Sequence, residues 1–252
     1  MNEAFKTALI ARLTALADDE LVLAQRNSEW VGHGPLLEED IALANLVQDE
    51  LGHAQIWLGL RQELDDSDPD QVIFWRNPQE YTCAELLELP RGDWGFTLLR
   101  QYLFDAYEAI WLAAASHSQY TPLAHAAQKI AREERYHLQH SALWVRQLGL
   151  GTPQSQQRMQ AALDTLWPYA QQLFVPLPNE APLVEAGWLP NLAHLREEWL
   201  TQTTRHLQNS GLSLPLQTAY QPTSRRNHTE HLSLLLAEMQ SVARSVPPTT
   251  PW

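Results

Sequence analysis

The chain has 252 residues, which suits one large domain or one domain with a helical extension. Hydrophobic residues make up 44%, enough for a substantial core, while the formal net charge of −13 disfavours nucleic acid or an anionic membrane surface as the main partner. The single cysteine, Cys83, excludes an internal disulfide and any cysteine-based zinc site. Tryptophans spread from Trp30 to Trp252 predict a bulky aromatic core, and scarce glycine with little strand-like alternation favours helices. Met1 to Leu16 alternates charged and apolar residues at helical spacing, without the unbroken apolar run of a signal peptide. No later segment has the length and apolarity to span a bilayer, so the expectation is a soluble, cytoplasmic protein.

In chain order, a first helix is predicted from Glu3 to Asn27, with an apolar stripe of Leu13, Leu16, Ala17, Leu23 and Ala24. Ser28-Glu-Trp-Val-Gly-His-Gly-Pro35 ends it. Glu38, Glu39 and Asp40 open a second helix that runs to Leu64, where negative charge offsets the positive end of the helix dipole. Residues 65–93 read as a long non-helical stretch of turn chemistry, with a short helix allowed over Cys83 to Leu89. A third helix is predicted from Trp94 to Ala115. Thr121-Pro122, read as an N-cap and a first-position proline, starts a fourth that stops near Gly149.

Another helix is expected from Pro153 to Phe174, kinked at Pro168, then a proline-rich connector over 175–191. Leu192–Leu207 and Thr229–Ser245 complete the set. Short loops join the first helix to the second and the third to the fourth, whereas the link between the pairs is long. Two antiparallel hairpins with one long crossover are the arrangement of ferritin-like four-helix bundles. The expectation is one all-α, ferritin-like domain over residues 1–252, with 1–150 as the bundle core and 151–252 as a helical C-terminal extension.

Two Glu-x-x-His units stand out, Glu50-Leu-Gly-His53 and Glu134-Arg-Tyr-His137. At this spacing both side chains leave one helix face and can reach one metal ion. Val47, Ala54 and Trp57 share the face of Glu50, and Ile130, Ser141 and Trp144 that of Glu134. A carboxylate directed into such a stripe is costly unless it is paired or binds a metal. Residues equidistant from a hairpin turn sit at the same depth. Glu20 and Glu50 are equidistant from Pro35, and Glu108 and Glu134 from Thr121.

Glu20, Glu50, His53, Glu108, Glu134 and His137 therefore fill the six positions of a di-metal carboxylate site. Four carboxylates balance two divalent ions, and hard oxygen donors with one imidazole each suit iron or manganese. Asp105, one turn before Glu108, either replaces it as ligand or orients His137. Other polar groups read more plainly. His140 reads as a structural histidine and His33 as a turn or interface residue. His228, Glu230 and His231 read as a capped helix start, Arg225-Arg226 as a solvated basic loop, and Trp252 as terminal packing.

Several segments carry a wider resemblance. They are Leu21-Val-Leu-Ala-Gln-Arg, Ser28-Glu-Trp-Val-Gly-His-Gly-Pro, Asp40-Ile-Ala-Leu-Ala-Asn, Arg100-Gln-Tyr-Leu-Phe-Asp-Ala, Arg135-Tyr-His-Leu, and His228-Thr-Glu-His-Leu followed by Leu236-Ala-Glu-Met-Gln. Together they resemble the C-subunit family of the multicomponent phenylacetyl-CoA epoxidase of aerobic phenylacetate degradation. The resemblance implies a ferritin-like subunit that pairs with a homologous A subunit, whose di-iron centre inserts one oxygen atom into the CoA-activated ring. It also implies a separate reductase. In that family the C subunit is mainly a scaffold whose ligand positions have often decayed, and this chain departs from the pattern by keeping six metal-competent residues. The alternatives are a non-catalytic scaffold for the A subunit and an independent ferritin-like di-iron oxidase.

Overall fold

A computed structural model of the chain describes residues 1–215 and 223–246; Trp252 lies outside them. The protein is all-α, with helices and no strand among the described residues. No helix among them is long and apolar enough to cross a membrane. Close packing divides the chain into two compact units, Met1–Pro90 joined by the segment that begins at Arg225, and Arg91–Ser224. The stretch expected as one C-terminal extension thus contributes to both.

In the first unit, α1 (Glu3–Ser28) and α2 (Leu37–Asp65) form an antiparallel hairpin. Asn2 caps α1 by accepting the Phe5 amide at 2.7 Å. The turn is pinned from α2, where Asp40 Oδ1 accepts the amides of Gly32 and Gly34 at 2.7 and 3.1 Å. Gly32 has φ of +81°, and a Cβ on Gly34 would come within 2.9 Å of Asp40. His33 is exposed within this turn, as its place between two glycines predicts. Leu9, Leu13 and Leu23 of α1 and Leu43, Leu46 and Trp57 of α2 are buried.

The link after α2 is more helical than predicted. It contains α3 (Pro69–Phe74), a 3₁₀ turn (Pro78–Glu80) and α4 (Glu85–Glu88). Asp68-Pro69 is a cap followed by a first-turn proline, and Asp68 accepts the Asp70 amide at 2.9 Å. The same dipeptide also serves in turns, so local chemistry alone did not separate the two outcomes.

Adjacent carboxylates on α1 strap this link down. Asp18 pairs with Arg76 and accepts the Thr82 amide at 2.8 Å. Asp19 accepts the Ala84 amide at 2.8 Å and Arg225 Nη2 at 2.6 Å, while Arg225 Nε donates to the Thr82 carbonyl at 2.9 Å. The expected solvated Arg225-Arg226 loop is therefore half wrong: Arg226 is exposed, but Arg225 is buried because Asp19 needs a cation. The last helix, α10 (Glu230–Met239), stops short of the predicted Ser245, with a separate 3₁₀ turn at Ala243–Ser245.

In the second unit, α5 (Trp94–Ala115) has its predicted limits, and Asp93 caps it by accepting the Phe96 amide at 2.9 Å. α6 (Thr121–Gly149) starts one residue earlier than the Thr-Pro signal suggests, placing Tyr120 at the cap. The two form the second hairpin. α7 (Pro153–Ala170) passes Pro168 and then tightens into a 3₁₀ turn over Gln171–Phe174. The connector holds one short helix, α8 (Ala181–Glu185), before α9 (Leu192–Asn209). Trp199 on α9 stacks on Trp167 at 5.0 Å and donates its indole N–H to the Leu103 carbonyl at 3.2 Å, binding α7 and α9 to α5.

His206 on α9 lies against Tyr102, with ring centroids 4.7 Å apart, and its Nε2 is 3.1 Å from the Ala142 carbonyl. Burial, with Arg146 adding to it, holds this imidazole below its ordinary pKa of 6.5 despite the carbonyl contact. A histidine with a depressed folded pKa stabilises the fold above the unfolded value, and that contribution is lost as pH falls. Thermal unfolding followed between pH 7.5 and 5.5 is expected to show a falling midpoint below about pH 6.5. The slope should flatten in His206→Gln; an unchanged slope would show that His206 does not contribute to it.

Candidate metal centre

In the first unit, the hairpin register brings Glu20 of α1 beside Glu50 and His53 of α2. All three are buried, and one ligand atom from each lies within 4.8 Å of the others. His53 Nδ1 is 3.8 Å from Glu20 Oε2 and 3.9 Å from Glu50 Oε2. One turn beyond His53, Trp57 donates its indole N–H to Glu20 Oε1 at 3.4 Å. A fully buried tryptophan thus orients the carboxylate of the opposite helix.

In the second unit, Glu134 and His137 of α6 are buried and in contact, with His137 Nδ1 2.7 Å from Glu134 Oε1. Glu108 of α5 is 4% exposed and offers an oxygen within 4.8 Å of one from Glu134. Asp105 makes hydrogen bonds to its own helix and to α6. Its Oδ1 accepts Gln101 Nε2 at 2.7 Å and its Oδ2 accepts the Ser141 hydroxyl at 2.6 Å. Gln101, which composition and motif spacing did not single out, is one turn before Asp105 on the same helix. That spacing was the signal available in the sequence.

Each hairpin therefore presents two glutamates and one histidine, buried at matched depth. Oxygen and imidazole donors without thiolate are the chemistry of hard to intermediate divalent cations, and buried carboxylates this close together call for positive charge. The residues fit metal ions, and these buried clusters could bind them.

A third group of ligating side chains, Cys83, Glu88 and His228, has a different use. Glu88 Oε2 accepts the Thr229 amide at 2.6 Å and its hydroxyl at 2.8 Å, while Glu88 Oε1 meets His228 Nδ1 at 2.6 Å. His228 Nε2 contacts the Tyr81 carbonyl at 3.0 Å. Burial pushes the Cys83 thiol well up, and Glu88 adds to the shift. A helix does start just after His228, but without the expected side-chain cap; Glu88 of α4 instead holds the amide and hydroxyl of Thr229, the residue that precedes it. Glu230 is exposed and His231 half-buried, and His140 is half-buried and stacked on Tyr136 at 6.1 Å.

Helical hairpins that carry buried Glu and Glu-x-x-His faces define the ferritin-like class of all-α proteins. The chain belongs to the phenylacetic acid catabolic protein family, which it matches over residues 1–252. It is 36% identical to the C subunit of the 1,2-phenylacetyl-CoA epoxidase of Escherichia coli (strain K12) over 241 residues, covering 95% of this chain and 97% of that protein. It is also 22% identical to the A subunit of the same epoxidase over 220 residues, covering 85% of this chain and 71% of that second protein.

Proposed function

We propose that this chain is the C-type subunit of a phenylacetyl-CoA epoxidase, that it binds two iron ions, and that it works in complex with a separate reductase and a homologous A-type subunit. The observation that carries this reading is the pair of buried Glu-Glu-His sets, retained in a chain similar along its whole length to the epoxidase C subunit. Glu20, Glu50 and His53 would supply one half of the ligand set, and Glu108, Glu134 and His137 the other. The two hairpins would then form one ferritin-like domain. Manganese suits the same donors.

Bound iron would supply the redox capacity for activating dioxygen. The chain's own residues do the positioning. Trp57 fixes Glu20, and the Asp105 carboxylate, tied to Gln101 and Ser141, braces α5 against α6 one turn from Glu108. Glu108 is the preferred ligand because one of its oxygens lies within 4.8 Å of a ligand atom of Glu134.

The test is reconstitution. The chain purified from iron-replete cells is expected to hold roughly two irons, to form a stable complex with the A-type subunit, and to be required for epoxidation of phenylacetyl-CoA when the reductase is added. Full epoxidation without this chain overturns its assignment to the complex. A metal-free chain that restores activity leaves a scaffold. Oxidation of ferrous iron by a chain that ignores the A-type subunit favours an independent oxidase.

A further inference from the structure

His228 is wedged between two acceptors. Its Nδ1 is 2.6 Å from Glu88 Oε1, and its Nε2 is 3.0 Å from the Tyr81 carbonyl. A neutral imidazole has a single N–H and serves one acceptor; serving both takes the imidazolium. The other place for the proton is Glu88, as a carboxylic acid donating to Nδ1. The remaining partners of Glu88 count against that form. Its Oε2 accepts the Thr229 amide at 2.6 Å and the Thr229 hydroxyl at 2.8 Å, and Cys83 Sγ stands 3.6 Å from Oε1. Burial keeps the Cys83 thiol protonated, so it too is a donor. Three donors besides the imidazole stabilise the ionised carboxylate over the acid.

Glu88 is buried and the His228 side chain is 10% exposed, so the carboxylate needs a cation within the fold. The neighbouring cations have other duties. Arg26 of α1 donates to the backbone carbonyl of Glu88 at 3.0 and 2.7 Å and pairs with Glu29 at 2.7 Å. Arg225 pairs with Asp19, and Arg76 with Asp18. Among the other titratable groups nearby, Glu80 is exposed and turned onto the Asn77 amide, Glu85 is buried on α4, Glu230 is exposed and His231 is half-buried.

We propose that His228 is held as an imidazolium that clasps the C-terminal segment to α4, and that this clasp opens when the ring gives up its proton. Deprotonation strands one acceptor. If Nδ1 is bared, a lone pair faces a buried carboxylate oxygen at 2.6 Å; if Nε2 is bared, another faces the Tyr81 carbonyl at 3.0 Å. Thr229 is the next residue and stands at the N-cap of α10, so the loosening passes into the start of that helix. Leu232, Leu235 and Leu236 stay buried and hold the rest of α10 in place, which makes the event local opening and not unfolding.

The experiment follows the ring nitrogens of isotope-labelled histidine by nuclear magnetic resonance in the full-length chain, from about pH 6 to about pH 10. His228→Gln identifies the signal by its loss. Hydrogen exchange of the α10 amides is measured over the same range, with α1 as the internal reference. At neutral pH both nitrogens of His228 are expected to carry protons. As the ring proton leaves, α10 exchange should rise roughly ten-fold or more relative to α1. His228→Gln, which keeps a neutral donor, should show raised α10 exchange throughout and no such step. Glu88→Gln should leave His228 with one bare nitrogen at neutral pH, with circular dichroism confirming that the variant folds.

A wild-type ring with one bare nitrogen at neutral pH overturns the stored charge. A ring that loses its proton without any rise in α10 exchange, or one that keeps both protons to the top of the range, overturns the opening.

Discussion

Arg225→Met is expected to destabilise the protein by roughly 3–5 kcal/mol, the range for removing one partner of a buried ion pair. Asp19 is 2% exposed, and its counter-charge comes from Arg225 across 206 residues of sequence. Without the guanidinium, this carboxylate keeps the Ala84 amide as a donor but has lost its cation, and the Thr82 carbonyl loses its Nε donor. Burial already raises the Asp19 pKa above 3.8, with Arg225 pulling it back. A raised folded pKa means that the contribution of Asp19 is complete below the unfolded value and declines as pH rises through the folded one. Losing Arg225 steepens that decline, so the deficit is largest near neutral pH and shrinks in acid. The double variant Asp19→Asn, Arg225→Met should recover most of the loss, because no uncompensated charge remains. Urea unfolding at pH 7 and pH 5 measures both. A deficit below about 1 kcal/mol, the scale of an exposed pair, would show that the contact does not hold the C-terminal segment.

Glu134→Gln is expected to act in opposite directions on the metal-free and metal-loaded protein. Glu108 and Glu134 place carboxylate oxygens within 4.8 Å of each other in a buried setting. Without a cation that proximity is repulsive, so neutralising one of them should raise the stability of the chelated protein by about 1–3 kcal/mol. With metal present the same change removes an anionic ligand and should lower both metal content and the thermal gain on loading. A site held for function is expected to sacrifice stability in this way. The measurement is a pair of unfolding midpoints, with and without chelator, alongside metal analysis. A variant less stable than wild type in both states would mean that Glu134 serves the fold by hydrogen bonding, and the metal reading of α6 would fail.

Features built from residues close in sequence were legible in the sequence itself. Helices α1, α2, α5 and α6 follow from apolar periodicity and from the glycine and proline breaks that bound them, because both are set within one or two turns. The depth match of Glu20 with Glu50 follows from the hairpin turn, since the turn fixes which residues of antiparallel helices lie side by side. The extra helix α3 escaped because Asp-Pro serves turns and helix starts alike.

Long-range pairing was not legible. Arg225 with Asp19, Glu88 with Thr229, and Trp199 with Leu103 join residues whose separation leaves no periodic trace. The same limit applies to the bond that Asp105 accepts from Ser141 of another helix. The four long helices of the two hairpins, their pairing and the metal-competent residue types depend on local spacing and chemistry, which a linear chain carries. Only the folded chain shows which charges are buried against which partners, as with Arg225 on Asp19 while Arg226 is exposed. Those outcomes depend on what surrounds a side chain, and a linear pattern does not carry that information.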